Sequence, residues 1–177
     1  MATDYTILKG LAHSYLQTRA QFLVQAAQYP ELAGNDSIVG RIGEMIAAQF
    51  LQLQGRQVVK HAALNHAVTD LLATMPGGQP RAVSVKLITA ENKSGSTTRL
   101  KDGWDEFILI ELNVAYQVHR LGWLTLDELR SNGQEQLAHD QPITSRRMLT
   151  TKGLIGRYGK VYDSQDERES LMLNSLL

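Results

Sequence analysis

The stretch AVTDLLATMPGGQPRAVSVKLIT, residues 67–89, decides how this sequence is read. Two short runs rich in aliphatic residues flank MPGGQP, a strong turn signal, so residues 67–73 and 81–89 are expected to pair as a β-hairpin. Period-two alternation places Ser84 and Lys86 on one face of the second strand, about 6.6 Å apart along it, and Val83, Val85 and Leu87 on the other. A two-residue turn at Gly77 and Gly78 would set Asp70 opposite Val85, on the face away from Lys86. A loop of odd length, such as 75–79, shifts the pairing by one and sets Asp70 opposite Ser84, on the face of the lysine. The odd-length loop is the expectation. A lysine inside an apolar strand, and an aspartate in VTDLL, are costly unless they are paired or serve a purpose. Two resolutions stand open: a buried ion pair, or a site for a divalent cation with the lysine beside it.

Working outward, EFILIEL (106–112) is nearly all apolar, as a central strand covered on both faces would be. RQVVKHA (56–62) and AYQVHRLGWL (115–124) read as further strands, and TLDELR after Thr125 as a short capped helix. Upstream, Tyr5, Leu8, Leu11, Ala12, Tyr15, Leu16 and Phe22 recur at helical steps and predict a helix over 4–28. A second helix is expected from Asp36 or Ser37 to Gly55, with Ile38, Ile42, Met45, Ile46, Phe50 and Leu53 as its apolar stripe. The expected fold is α/β, a mixed central β-sheet flanked by helices. With no repeat or linker, the chain reads as a single domain over 1–177. It comprises the N-terminal helix (4–28), a core (37–116) and a C-terminal basic extension (117–177).

Composition narrows the chemistry. The 177 residues are 43% hydrophobic and 20% charged, with no cysteine and a formal net charge of zero. Disulfides, thiolate zinc sites and cysteine nucleophiles are thereby excluded, and a reducing, cytoplasmic setting is expected. No apolar run reaches the ~20 residues of a membrane span, and the start lacks the pattern of a secretory signal. His13, His61, His66, His119 and His139 show no metal-binding spacing, and no serine-hydrolase, Walker or dinucleotide motif is present. The neutral total hides two basic stretches. Residues 79–101 hold Arg81, Lys86, Lys93, Arg99 and Lys101 against Glu91 alone, and residues 141–162 hold Arg146, Arg147, Lys152, Arg157 and Lys160 with no acid. If they meet in the fold they attract phosphate; otherwise they are solvated faces. Tyr158 and Tyr162 interleave with these cations, a composition suited to sugar-phosphate contact and equally to a glycine-rich loop with an edge strand. Trp104 and Trp123 are expected to pack against the sheet.

Glu44 stands almost opposite the apolar stripe of its helix, among Gly40, Gly43, Ala47, Ala48 and Leu51. That helix is apolar on nearly all sides, and a carboxylate there is paired or holds a metal; a capping or salt-bridging role is the structural alternative. The order of a helix glutamate, a hairpin aspartate and Ser84-x-Lys86 resembles the PD-(D/E)XK nuclease superfamily over residues of about 37–116. The resemblance implies a restriction-endonuclease-like core that hydrolyses DNA phosphodiester bonds with Mg²⁺, or Mn²⁺ in its place. By position it implies Asp70 and Glu44 as metal-binding carboxylates and Lys86 as the catalytic lysine. Ser84 stands where an acid is usual, with its Oγ able to hold a metal-bound water, and Thr69 stands where the family has proline. Glu91 or Asp105 are secondary sources of a carboxylate. Phosphate contacts are expected from Lys93, Arg99, Lys101, Arg146, Arg147, Lys152, Arg157 and Lys160, and a homodimer would cut both strands. The alternative from another class is an inactive nucleic-acid-binding or protein-interaction module on the same scaffold, with Asp70 and Lys86 as a buried ion pair.

Overall fold

Helical spacing in the first third of the chain gives α1 (Tyr5–Ala26) and α2 (Ile38–Leu53) in the computed structural model, which describes residues 5–26, 38–60, 69–92, 95–164 and 166–167. The expected caps Asp36 and Ser37 lie outside the described residues. Gly55 takes the left-handed conformation at φ +78° that ends α2, with its N–H bonded to the carbonyl of Gln52 at 2.9 Å. Among the described residues, six strands follow: β1 (Gln57–Lys60), β2 (Leu71–Thr74), β3 (Arg81–Ile88), β4 (Glu106–Leu112), β5 (Val118–Thr125) and β6 (Lys160–Tyr162). They form one mixed sheet in chain order, antiparallel throughout except for the parallel pair β3/β4. The expected α/β class, a mixed sheet flanked by helices, is what the chain adopts.

The hairpin takes the odd-length register. Leu71 pairs with Val83, Leu72 with Ala82 and Ala73 with Arg81, so residues 74–80 lie between the last paired positions. One step further along, Asp70 stands across from Ser84, and its N–H donates to the Val83 carbonyl at 3.0 Å. The strand expected from residue 67 begins at Leu71; residues 61–68 lie outside the described part.

The central strands of the sheet are buried on both faces, whereas β1 is largely exposed. Leu16 of α1 and Ile46, Ala47, Phe50 and Leu51 of α2 pack on Val83, Val85, Ile108, Ile110 and Leu121. Gly43 permits the close approach of α2, since a Cβ there would lie 3.1 Å from Leu87 Cβ. On the other face Ile88, Phe107, Leu109 and Leu124 meet Leu100, Trp104, Leu129, Ile143, Met148, Leu149 and Ile155. β4 accordingly carries its apolar run with both faces covered, as its sequence predicts.

Residues 118–162 are therefore integral to the sheet rather than an extension of it. They supply β5, β6 and the covering pieces α3 (Leu126–Ser131), a 3₁₀ turn (Glu135–Ala138), α4 (Ser145–Leu149) and α5 (Leu154–Tyr158). The expected cap of TLDELR is a full capping box: Glu128 N–H donates to Thr125 Oγ1 at 3.1 Å, and Thr125 N–H to Glu128 Oε2 at 2.7 Å. Both tryptophans pack as expected, Trp104 beside Phe107 and Trp123 edge-on to Phe50. Among the described residues no helix is long and apolar enough to cross a membrane.

Candidate functional site

Three chain segments converge at the carboxyl end of β3. Gly43 seats α2 against Leu87, which carries the adjacent Glu44 to the mouth of a cavity of about 430 Å³. Asp70 enters from the start of β2, and Lys86 from β3 itself. All three line that cavity, together with Arg19, Thr89, Glu91, Asn92, Thr97 and Thr98. A pocket outside the carboxyl end of a parallel strand is where open α/β sheets hold ligands.

Asp70 is the hinge of the arrangement. β2 leaves β3 at this residue, and the Val85 N–H, which would otherwise seek a β2 carbonyl, donates to Asp70 Oδ2 at 2.6 Å. The carboxylate thus shares one cavity with Glu44 and Lys86, and the charges of both act on it. Burial pushes the Asp70 carboxyl above its ordinary value; the Val85 hydrogen bond and the charge of Lys86 oppose this, and the charge of Glu44 adds to it. A carboxyl so placed gains from a cation.

Among the described residues no ion pair joins Asp70 to Lys86, and Lys86 forms none with any other residue. The closed Asp70–Lys86 pair weighed from the sequence is absent. The pairing found is elsewhere: Glu44 Oε2 lies 2.5 Å from Lys60 Nζ, with the lysine side chain 63% exposed and the glutamate 22%. Lys60, at the end of β1, holds Glu44 without lining this cavity; sequence reading passed over it, although a lysine closing a β-branched run was a signal. Arg19 is another residue it passed over. It bonds Glu91 Oε2 at 2.6 Å across a sequence separation of 72, which no local pattern reveals. The Tyr116 hydroxyl donates to Glu91 Oε1, and burial, followed by that carboxylate, pushes the phenol up to about 12.

The remaining sequence candidates divide. Ser84 is 2% exposed and does not line the cavity. Asp105 sits at the far end of β3, where its Oδ2 accepts from Ala82 N–H at 2.8 Å; Glu91 is the secondary carboxylate that reaches the cavity. Among the described residues no group of three or more His, Asp or Glu side chains gathers to hold a metal unaided. Lys93, His61 and His66 lie outside the described residues.

The two basic stretches do meet. Ser96 bridges to Thr144, Thr97 N–H donates to Ile143 O at 3.1 Å, and Leu100 N–H to Gln141 O at 2.9 Å. Arg146, Arg147 and Lys152 line one depression beyond this ribbon. Lys101 and Arg157 are exposed singly. Arg99 is a partial correction: its Nε and Nη2 are given to Asp140, at 2.7 and 2.5 Å, an exposed pair with which a phosphate would compete. Tyr162 is a full one, since it is buried against Phe50 in the core and cannot touch a sugar-phosphate chain. Lys160 lies over the Tyr162 ring, 4.5 Å from its centroid. No protein-family model matches the sequence, and no curated protein is significantly similar to it.

Proposed function

We propose that the cavity at Lys86 is a metal-dependent phosphodiester-hydrolysis site acting on DNA, on a core that resembles the restriction endonucleases. The observation that carries this reading is an ammonium with no ion-pair partner among the described residues, lining one cavity with two carboxylates, of which one is held above its ordinary pKa by burial. A charge left unsatisfied in a half-buried site is costly, and function is the usual return for that cost.

The donor set suits Mg²⁺. That ion retains several waters and takes one or two carboxylates plus substrate phosphate oxygens, so Asp70 and Glu44 suffice without a third protein ligand. Glu44 would exchange Lys60, which is mostly exposed and free to withdraw, for the ion. When bound, the ion supplies charge neutralisation and Lewis acidity at the phosphate. Asp70 stays fixed by the Val85 N–H, and Lys86 places a permanent positive charge where negative charge develops. Arg19 and Tyr116 hold Glu91 at the rim of the same cavity.

The test is nicking of supercoiled plasmid with Mg²⁺, with Mn²⁺ and with EDTA. Wild type is expected to nick only with metal, and Asp70→Ala and Lys86→Ala to lose at least about 10²–10³-fold in rate. Pure, folded wild type that binds DNA and never nicks it under these conditions defeats hydrolysis and leaves the binding module.

A further inference from the structure

We infer that the depression formed by Arg146, Arg147 and Lys152 is a phosphate-binding subsite for the same DNA strand whose target phosphate lies at Lys86. This inference rests on the hydrolase reading for its substrate, but its test is separate. The depression has a volume of about 620 Å³ and is lined otherwise by Thr144, Thr150 and Thr151, with no acid. Elsewhere among the described residues six arginines are spent on carboxylates, Arg19 on Glu91, Arg56 on Glu106, Arg81 on Asp127, Arg99 on Asp140, Arg120 on Glu111 and Arg130 on Glu135, and only Arg41 and Arg157 enter no ion pair. Among the described residues, Arg146, Arg147 and Lys152 enter no ion pair. Three cations kept free of internal partners and gathered around one concavity fit an anion that comes from outside.

The backbone that carries the two arginines is anchored. Met148 and Leu149 are buried in the second core layer, and Ser145 Oγ donates to Glu111 Oε1 at 2.7 Å, tying α4 to the sheet. Burial raises the Glu111 carboxyl, yet the Arg120 and Ser145 hydrogen bonds outweigh it and hold the group below its ordinary value, charged at neutral pH.

Position supplies the link to Lys86. Thr97 and Thr98 line the Lys86 cavity, Thr144 lines the basic depression, and Ser96 bridges directly to Thr144. The two sites therefore flank one ribbon of two paired segments, about 5 Å between backbones. A DNA strand carries one phosphate per about 3.4 Å of helix axis. The inferred path carries a strand with its target phosphate at Lys86 across this ribbon to the basic depression.

Fluorescence anisotropy of the full chain with duplex and single-stranded oligonucleotides, in EDTA across 50–300 mM salt, tests this. R146Q/R147Q/K152Q is expected to flatten the log affinity against log salt slope by about 2–3, at about 0.7–0.9 per lost contact. K152Q alone should flatten it by about one contact. A triple variant with wild-type melting and wild-type slope overturns the subsite even where wild type nicks plasmid. A flattened slope in a protein that never nicks upholds the subsite and rejects hydrolysis. Wild type that fails to bind either oligonucleotide overturns the subsite outright.

Discussion

The sheet carries charge at both ends of β3 and β4, and the two ends handle it in opposite ways. At the amino end of β4, Glu106 is 1% exposed and takes both Arg56 terminal nitrogens at 2.5 Å. Trp123 Nε1 adds a third bond to the same carboxylate at 2.9 Å, and Arg81 Nε lies 3.4 Å away. Each oxygen is satisfied by side chains of this chain. At the carboxyl end of β3, Asp70 holds one backbone N–H and is pushed toward protonation, Glu44 leans on an exposed lysine, and Lys86 has no ion-pair partner among the described residues. A buried charge that is saturated internally is architecture. One left open beside a cavity is poised for something the chain does not itself contain.

The sharpest way to break the contrast is to remove one partner at each end and compare stability. Arg56→Met strands Glu106 in the core and is expected to cost about 3–5 kcal/mol, read by urea or thermal unfolding. A loss under 1 kcal/mol would show that the amino-end network is not the structural member of the pair. Lys86→Met breaks no ion pair, and its unfolding free energy should stay within about 1 kcal/mol of wild type. The smallest effect belongs to Asp70→Asn, and its sign is the informative part. Because the folded Asp70 carboxyl titrates above its ordinary value, the group favours folding below that ordinary value, and the contribution is lost as pH rises through the folded value. At pH 7 in metal-free buffer the asparagine variant, which can still accept the Val85 N–H, should melt at or slightly above wild type. A lower Tm at pH 7 that recovers in acid would contradict the assignment.

Much of the architecture was legible because it rests on short-range rules. EFILIEL had to lie between two layers, Thr125 and Glu128 form a capping box three residues apart, and parity alone tied the loop after β2 to the side on which Asp70 emerges. The candidate site was half legible for the same reason. Asp70, Lys86 and Glu44 each violate the apolar pattern of their own segment, so each is visible alone. Lys60, Arg19 and the meeting of residues 95–100 with 141–144 are long-range contacts between segments whose local patterns are ordinary. The fate of Arg99 and Tyr162 was equally hidden: one finds Asp140, the other finds Phe50, and composition reads both as surface.

By itself, then, the order of residues determined which segments are helix and strand, which faces are apolar, and which polar groups are out of place. Those follow from the 3.6- and 2-residue periods of the backbone and from the cost of burying charge. Which out-of-place groups satisfy one another was decided only when the sheet closed, since a carboxylate's partner depends on through-space distance. Chain packing gave Glu106 its three donors, left Lys86 without an ion-pair partner among the described residues, and gathered Arg146, Arg147 and Lys152 around one depression.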